Sequence, residues 1–191
     1  VNDLYDDQCP YKIPFDTVTV TLKNHIATAC DVITVTDANP YSEGFESTIL
    51  PACWSQDYVS GTQDWVIGNG DGNNIYSAHG GNYNAVFDGS SYDENTTKLI
   101  TPVLDLSALD SAKLSFWHAQ AAWGTDQNEL SLYYRTSATG EWTLLADYTN
   151  SLTAWTEEVV TLPNIGAYYQ LAFEGVNNYG YDIALDDITV E

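Results

Sequence analysis

Short runs of alternating apolar and polar residues recur along the chain. In segment 129–135, apolar side chains occupy every second position from Leu130, and segment 168–175 repeats the pattern. A period of two places alternate side chains on opposite faces of a β-strand, and no window shows the 3.6-residue stripe of a helix. Further runs of this kind lie at 17–22, 31–36, 99–106, 113–119, 142–145 and 158–162.

Clusters of turn-forming residues separate these runs, notably at 68–74. Many short strands at roughly 8–12-residue spacing are typical of two-sheet proteins. The pattern therefore predicts an all-β jelly-roll sandwich. We assign it to residues 41–191 and regard 1–40 as a short N-terminal β extension or the tail of a preceding domain, with 37–40 as a linker.

The last predicted strand contains two adjacent acids that interrupt its alternation. Ile183 and Leu185 share one face, but Ile188 is out of phase with them by one residue after Asp186 and Asp187. A β-bulge produces a phase shift of this kind. It would also turn one carboxylate toward the core, where an uncompensated charge is costly.

A hard cation such as calcium would offset that cost, because calcium binds oxygen ligands and favours carboxylates. Glu46 lies in the first predicted strand of the sandwich and could reach the same ion if the first and last strands are neighbours. The ion would then hold the two ends of the domain together. The alternative is that the acid pair faces water on an edge strand.

Composition limits the possible partners. The chain has 191 residues, with 27 acids against five bases and a formal net charge of -22. This charge argues against nucleic acid and anionic membranes as partners, and permits cations, neutral sugars and basic proteins. No run approaches the roughly 18 apolar residues of a membrane helix, so membrane insertion is not expected.

No catalytic motif is recognisable, and we expect a non-catalytic protein. Met is absent and no signal peptide is evident, so we expect a mature or excised piece whose export signal lies outside it. Three cysteines are not a complete disulfide framework. One arrangement is a Cys9–Cys30 disulfide, which leaves Cys53 as a small buried residue.

Aromatic residues in predicted loops are the candidate ligand contacts. They are Trp123, Tyr92, Tyr179 and Tyr181. Loop aromatics can stack on sugar rings or anchor a protein interface. The alternative is that they cap the ends of the core.

Taken together, several segments resemble the cleaved-adhesin domains of the gingipain and haemagglutinin proteins of Bacteroidetes, and more distantly the MAM domains of animal receptors. The resemblance spans 41–191 and depends on the order of the motifs. They are Phe45-Glu46, Leu50–Ser55, Asp64-Trp65, Ser77–Ala85, Thr97–Leu106, Leu114–His118, Glu129–Arg135, Trp142, Trp155, Phe173–Gly175 and Leu185–Ile188.

The resemblance implies a MAM-like or galactose-binding-like jelly roll that is secreted or displayed at the outer membrane of an anaerobic Gram-negative bacterium. It implies non-catalytic adhesion as one module of a larger protein. It also implies structural calcium, with Glu46, Asp186 and Asp187 as ligands by position and Asp64 as a further candidate.

These observations lead to three functional hypotheses. The first is an adhesion module that binds a host protein or glycan through loops at one end of the jelly roll. The second is a carbohydrate-binding module of a polysaccharide-degrading enzyme, in which Trp123 with Tyr92 or Tyr179 forms the stacking platform. The third is a structural spacer without a ligand.

Overall fold

The computed structural model describes residues 30–89 and 94–191. The predicted strand at 17–22, Cys9 and Tyr92 lie outside these ranges. No helix within them is long and apolar enough to cross a membrane. The strands are β1 (Ile33–Thr34), β2 (Tyr41–Glu43), β3 (Ser55–Ser60), β4 (Trp65–Gly68), β5 (Asn84–Phe87), β6 (Thr96–Ile100), β7 (Leu104–Asp105), β8 (Ala112–Gln120), β9 (Glu129–Arg135), β10 (Thr143–Tyr148), β11 (Leu152–Leu162), β12 (Gln170–Val176) and β13 (Ile183–Val190).

Two antiparallel sheets form the body of the protein. The five-stranded sheet has the order β10-β9-β12-β6-β3. The six-stranded sheet has the order β11-β8-β13-β5-β4, with β2 paired to β13. The all-β sandwich predicted from the alternation is confirmed, and segment 129–135 coincides with β9.

The core lies between the two sheets and is built from alternate residues of their strands. Leu132 and Phe173 of the five-stranded sheet and Phe116 and Leu185 of the six-stranded sheet are fully buried in one cluster. Phe116 and Phe173 meet edge to face across the interface, with ring centroids 5.2 Å apart. Each such side chain contributes about 2 kcal/mol by leaving water. Residues between these positions therefore face outward, away from the core.

Strand β13 carries the predicted β-bulge, which is confirmed. Asp186 pairs with Trp117 of β8, but the next paired residue, Thr189, is opposite Ser115. Three steps on β13 therefore match two on β8, and Asp187 adopts a positive φ of 45°. On its other side β13 pairs with β5 before the bulge and with β2 after it. The bulge thus marks the point where β13 changes partner.

Residues 30–40 contact the sandwich directly. Strand β1 runs parallel to β7, and Val35 is fully buried in the core. A disulfide joins Cys30 to Cys53, with Cα atoms 5.5 Å apart. The possible Cys9–Cys30 arrangement is therefore wrong, because long-range strand pairing brings Cys30 close to the turn before β3. The division of the chain at residue 40 stays a prediction.

Candidate functional site

The loop between β4 and β5, residues 69–83, begins with a tight turn organised by one buried acid. The Asp71 Oδ1 atom accepts the backbone N–H groups of Asn73, Asn74 and Ile75 at 2.7–2.8 Å. Aspartate commonly closes turns in this way, and the turn lets the chain fold back on itself. The side chain of Ile75 then packs with Ala119 and Ala184 in a small apolar cluster.

The Asp186 carboxylate is buried beneath this loop. Its Oδ2 atom accepts the N–H groups of His79 at 2.9 Å and Gly80 at 3.1 Å. Ala184, two residues earlier on β13, packs against the same loop. The expectation that the bulge turns a carboxylate toward the core is therefore wrong. Asp186 is fully buried on the outer face of the six-stranded sheet, because the loop covers that face.

Burial raises the pKa of Asp186 to about 6, and the hydrogen bonds from Gly80 and Asp187 offset this only in part. The charged form is costly there, because few solvent dipoles reach it. A nearby cation would therefore be stabilising at this position.

Asp187 and Glu46 contact the same loop from its open side. The Asp187 Oδ2 atom lies 2.6 Å from His79 Nδ1. Glu46 accepts the N–H groups of Asn82 and Tyr83 at 2.9–3.2 Å, and these hydrogen bonds lower the pKa of Glu46. The structure thus brings three of the four predicted metal ligands to segment 79–83.

Two glycines make this approach possible. A Cβ atom at Gly80 would lie 2.6 Å from an oxygen of Asp187, and one at Gly81 would clash with the Glu46 carboxylate. Gly81 also has a positive φ of 59°. Side chains at these positions would displace the carboxylates from the loop.

The oxygen donors at this loop fit calcium chemically, since Glu46, Asp186 and Asp187 provide carboxylates and no soft ligand. In the structure Glu46 and Asp186 accept backbone N–H groups, and Asp187 lies against the His79 ring. Within residues 30–89 and 94–191, no group of three or more His, Cys, Asp or Glu side chains is already arranged around a metal position. The loop therefore has suitable donors without a preassembled coordination shell.

Asp64 lies apart from this cluster and accepts a hydrogen bond from the Tyr58 hydroxyl. It precedes Trp65, which pairs with Phe87 at one end of β5. Segment 79–83 leads into the opposite end of β5, at Asn84. The structure therefore does not bring Asp64 to the other three acids.

His79 belongs to the cluster, although sequence reasoning did not select it. Its ring stacks on Trp117 with centroids 3.8 Å apart, and Trp155 Nε1 donates to the Ser77 carbonyl at 3.1 Å. These contacts clamp the loop onto the sheet. The only local signal was the His79-Gly80-Gly81 run, in which two glycines permit close approach.

The loops after β8 and β12 meet at one end of the sandwich around a buried Asn128. Its Oδ1 atom accepts the N–H groups of Asn178 and Gly180 at 2.8 and 2.9 Å, and its Nδ2 atom donates to the Tyr181 carbonyl at 2.9 Å. The loop after β5 joins them, since the Gly89 N–H donates to Asp182 at 2.6 Å.

Three of the four predicted aromatic contacts lie on this loop cluster. Trp123 is 55% exposed in a short turn closed by paired hydrogen bonds with Asp126. Tyr179 is also exposed, and Tyr181 is half-buried. The structure therefore places Trp123, Tyr179 and Tyr181 at the same end, while Tyr92 lies outside the described residues.

Comparison with known proteins identifies the family. The family model of the MAM domain (meprin/A5/mu) matches residues 44–191, and the chain belongs to this family. The predicted resemblance to MAM and cleaved-adhesin domains is therefore confirmed. No match is found among curated proteins.

Solved structures of adhesin and carbohydrate-binding domains share the fold. A cleaved adhesin domain of Lys-gingipain from Porphyromonas gingivalis has 26% identity and a TM-score of 0.62, over 80% of this chain and 97% of that domain. TmCBM61 in complex with β-1,4-galactotriose has 13% identity and a TM-score of 0.58, over 78% and 93%. The CBM22-1 xylan-binding domain of Xyn10C from Paenibacillus barcinonensis has 11% identity and a TM-score of 0.53, over 79% and 92%.

Proposed function

We propose that this chain is a non-catalytic binding module of an extracellular or surface-displayed protein, and that it recognises a host protein or glycan. The observation that carries the proposal is the loop cluster around Asn128, which holds Trp123 and Tyr179 in the open at one end of a rigid sandwich. Exposed aromatic residues on a fixed frame bind with little loss of conformational freedom.

The relatives support this class of function. The Lys-gingipain domain is an adhesin domain, and other structures of the same fold are carbohydrate-binding modules. A binding module within a larger protein is consistent with all of them. The carbohydrate-binding modules have lower identity and support the fold alone, so the choice of ligand depends on this chain's own residues.

Calcium is the second part of the proposal. We infer that Glu46, Asp186 and Asp187 hold one calcium ion that fixes segment 79–83 to the last strand. The buried carboxylate of Asp186 and the space left by Gly80 and Gly81 support this inference. The ion would be structural, and it would stabilise the domain because it binds only the folded form.

The binding part is tested with the full chain and a Trp123→Ala variant. Surface plasmon resonance would measure binding to immobilised collagen, fibronectin and laminin, and to neutral polysaccharides. We expect binding to at least one of these, and a loss of at least tenfold on Trp123→Ala. Tyr76→Ala is the matched control, because Tyr76 is 79% exposed on the separate loop 69–83.

Two results would contradict the binding proposal. One is the absence of any binding by the wild type, which would favour a spacer domain. The other is equal binding by the wild type and Trp123→Ala, which would remove the loop cluster from the binding surface.

A further inference from the structure

The outer face of the five-stranded sheet carries an ordered row of charged and polar side chains. Leu99, Phe173 and Leu132 point into the core, so their neighbours on β6, β12 and β9 point outward. Strand register aligns five outward residues side by side. From one edge of the sheet to the other they are Asp57, Lys98, Glu174, Ser131 and Asp147.

A second, mainly apolar row runs beside the first. Its members are two residues away on each strand, apart from the irregular β10, and are also aligned by register. They are Ser55, Ile100, Ala172, Tyr133 and Leu144. Both rows are most buried on the central strands, which have neighbours on both sides, and are exposed at the edges of the sheet. We call the surface formed by these two rows the groove.

At the centre of the groove, Lys98 and Glu174 form an ion pair whose side chains are only 9% and 10% exposed. The Tyr133 hydroxyl donates to Glu174 Oε1 at 3.1 Å, and Lys98 Nζ lies 4.5 Å from the centre of the Tyr133 ring. The desolvation of two buried charges usually cancels their attraction, so an apolar pair would hold the sheet together as well. Stability alone does not account for these residues.

The same face holds most of the positive charge in the described residues. Of the three Lys and Arg residues within 30–89 and 94–191, Lys98 and Arg135 lie here. Arg135 donates from Nε and Nη2 to Gln170 Oε1 at 3.0 and 2.7 Å, and its guanidinium lies 4.5 Å from the centre of the Trp142 ring. The face therefore combines aromatic rings, hydrogen-bond donors and acceptors, and side chains of positive and negative charge.

This combination matches the chemistry of a sugar chain. A pyranose ring has an apolar face that can stack on an aromatic side chain, and hydroxyl groups at its edge that both donate and accept hydrogen bonds. The groove spans four interstrand spacings, roughly 19 Å, which suits an extended oligosaccharide. The net charge of -22 and the acids Asp57 and Asp147 at the rim disfavour an anionic glycan.

We propose that the outer face of the five-stranded sheet binds a neutral oligosaccharide, with a sugar ring stacked on Tyr133 and its hydroxyls bonded to Lys98 and Glu174. The proposal rests on the proposed function as a binding module. It adds a recognition surface that does not involve the end loops around Asn128.

Isothermal titration calorimetry with the full chain tests this directly. The probes are cellohexaose, xylohexaose, mannohexaose and β-1,4-galactohexaose, with polygalacturonate as the acidic comparison. We expect binding of at least one neutral probe. Kd should rise at least tenfold in Tyr133→Ala and in the double variant Lys98→Met with Glu174→Leu.

The double variant separates a loss of binding from a loss of the folded structure, since its melting temperature should stay within a few degrees of the wild type. Val159→Ala is the matched control and should bind normally, because Val159 is an exposed apolar residue of the other sheet.

Three outcomes would overturn the inference. They are no binding of any neutral probe, preferential binding of polygalacturonate, or binding that survives Tyr133→Ala but is lost in Trp123→Ala. The last outcome would move the sugar to the end loops and leave the proposed function intact. A failure of the proposed function would instead appear as equal binding of collagen, fibronectin and laminin by the wild type and Trp123→Ala, whatever the oligosaccharides show.

Discussion

The two sheets of this sandwich satisfy the polar groups of their outer faces in different ways. On the six-stranded sheet, the buried Asp186 receives hydrogen bonds from the backbone of loop 69–83. On the five-stranded sheet, Glu174 is paired with the side chains of Lys98 and Tyr133.

This difference separates a structural face from a recognition face. A backbone N–H group held in a packed loop cannot move without unfolding the loop, so Asp186 is fixed. A side chain can rotate and exchange one partner for another, so Lys98 and Glu174 can bind a ligand hydroxyl in place of each other. The outer face of the six-stranded sheet beneath loop 69–83, here called the covered face, therefore has a structural role. The groove on the five-stranded sheet is suited to a ligand.

The largest effect should come from removing the aromatic support of the covered face. Trp117→Ala should destabilise the protein by about 3 kcal/mol. It removes the ring on which His79 stacks, so the loop over Asp186 loses its packing contact with the sheet. Tyr133→Ala in the groove should cost about 1 kcal/mol, because Tyr133 contacts the side chains of Lys98 and Glu174 and holds no loop in place. Urea unfolding at neutral pH would measure both, and equal losses would contradict the distinction between the faces.

The stability of the protein should also depend on pH through His118, a buried residue between the two sheets. Burial lowers the pKa of His118 to about 4, from an ordinary value of 6.5. Glu158 Oε1 lies 3.7 Å from its Nε2 atom, and the Tyr148 ring packs beside it. Between pH 6.5 and 4 the unfolded chain therefore takes up a proton that the folded chain does not, so stability falls by about 2 kcal/mol by pH 4.5.

The His118→Gln variant isolates this effect. Burial raises the pKa values of Asp182 and Asp186, so these acids favour the folded state as pH falls, opposite to His118. Both acids are present in the wild type and in His118→Gln. Subtracting the free energy of unfolding of one protein from that of the other at each pH therefore cancels their contribution. A difference that does not change between pH 7.5 and 4.5 would show that His118 has no such role.

A smaller effect should distinguish two glycines with similar backbone conformations. Gly81 and Gly124 have φ values of 59° and 65°, so alanine is similarly strained at both. A Cβ at Gly81 would push Glu46 away from the loop, whereas nothing lies within 4 Å of one at Gly124. Gly81→Ala should therefore lose about 1 kcal/mol more than Gly124→Ala. Thermal unfolding that showed equal losses would argue against a role for the Glu46 contact.

Local patterns in the sequence predicted much of the fold. Alternation located β9 and most of β12, and the phase shift at Asp186 located the bulge, because both depend only on neighbouring residues along one strand. The acids Glu46, Asp186 and Asp187 could also be predicted as a group, from the phase shift in the last strand and from their positions in the family resemblance.

Features that depend on strand register could not be predicted in the same way. Tyr133 and Glu174 are 41 residues apart and meet only because β9 and β12 are neighbours. The Cys30–Cys53 disulfide also depends on a long-range pairing, that of β1 with β7. The groove on the five-stranded sheet was missed for this reason, since its members are scattered over five strands.

The measurement that tests the structural role of the covered face most directly is thermal unfolding with excess calcium and with EDTA. We predict a melting temperature about 5–10 °C higher with calcium for the wild type and for Asp64→Ala, whose carboxylate lies apart from the loop. Glu46→Ala and Asp187→Ala should lose this difference. Equal melting temperatures for the wild type in calcium and EDTA, with no calcium found by elemental analysis, would contradict the account.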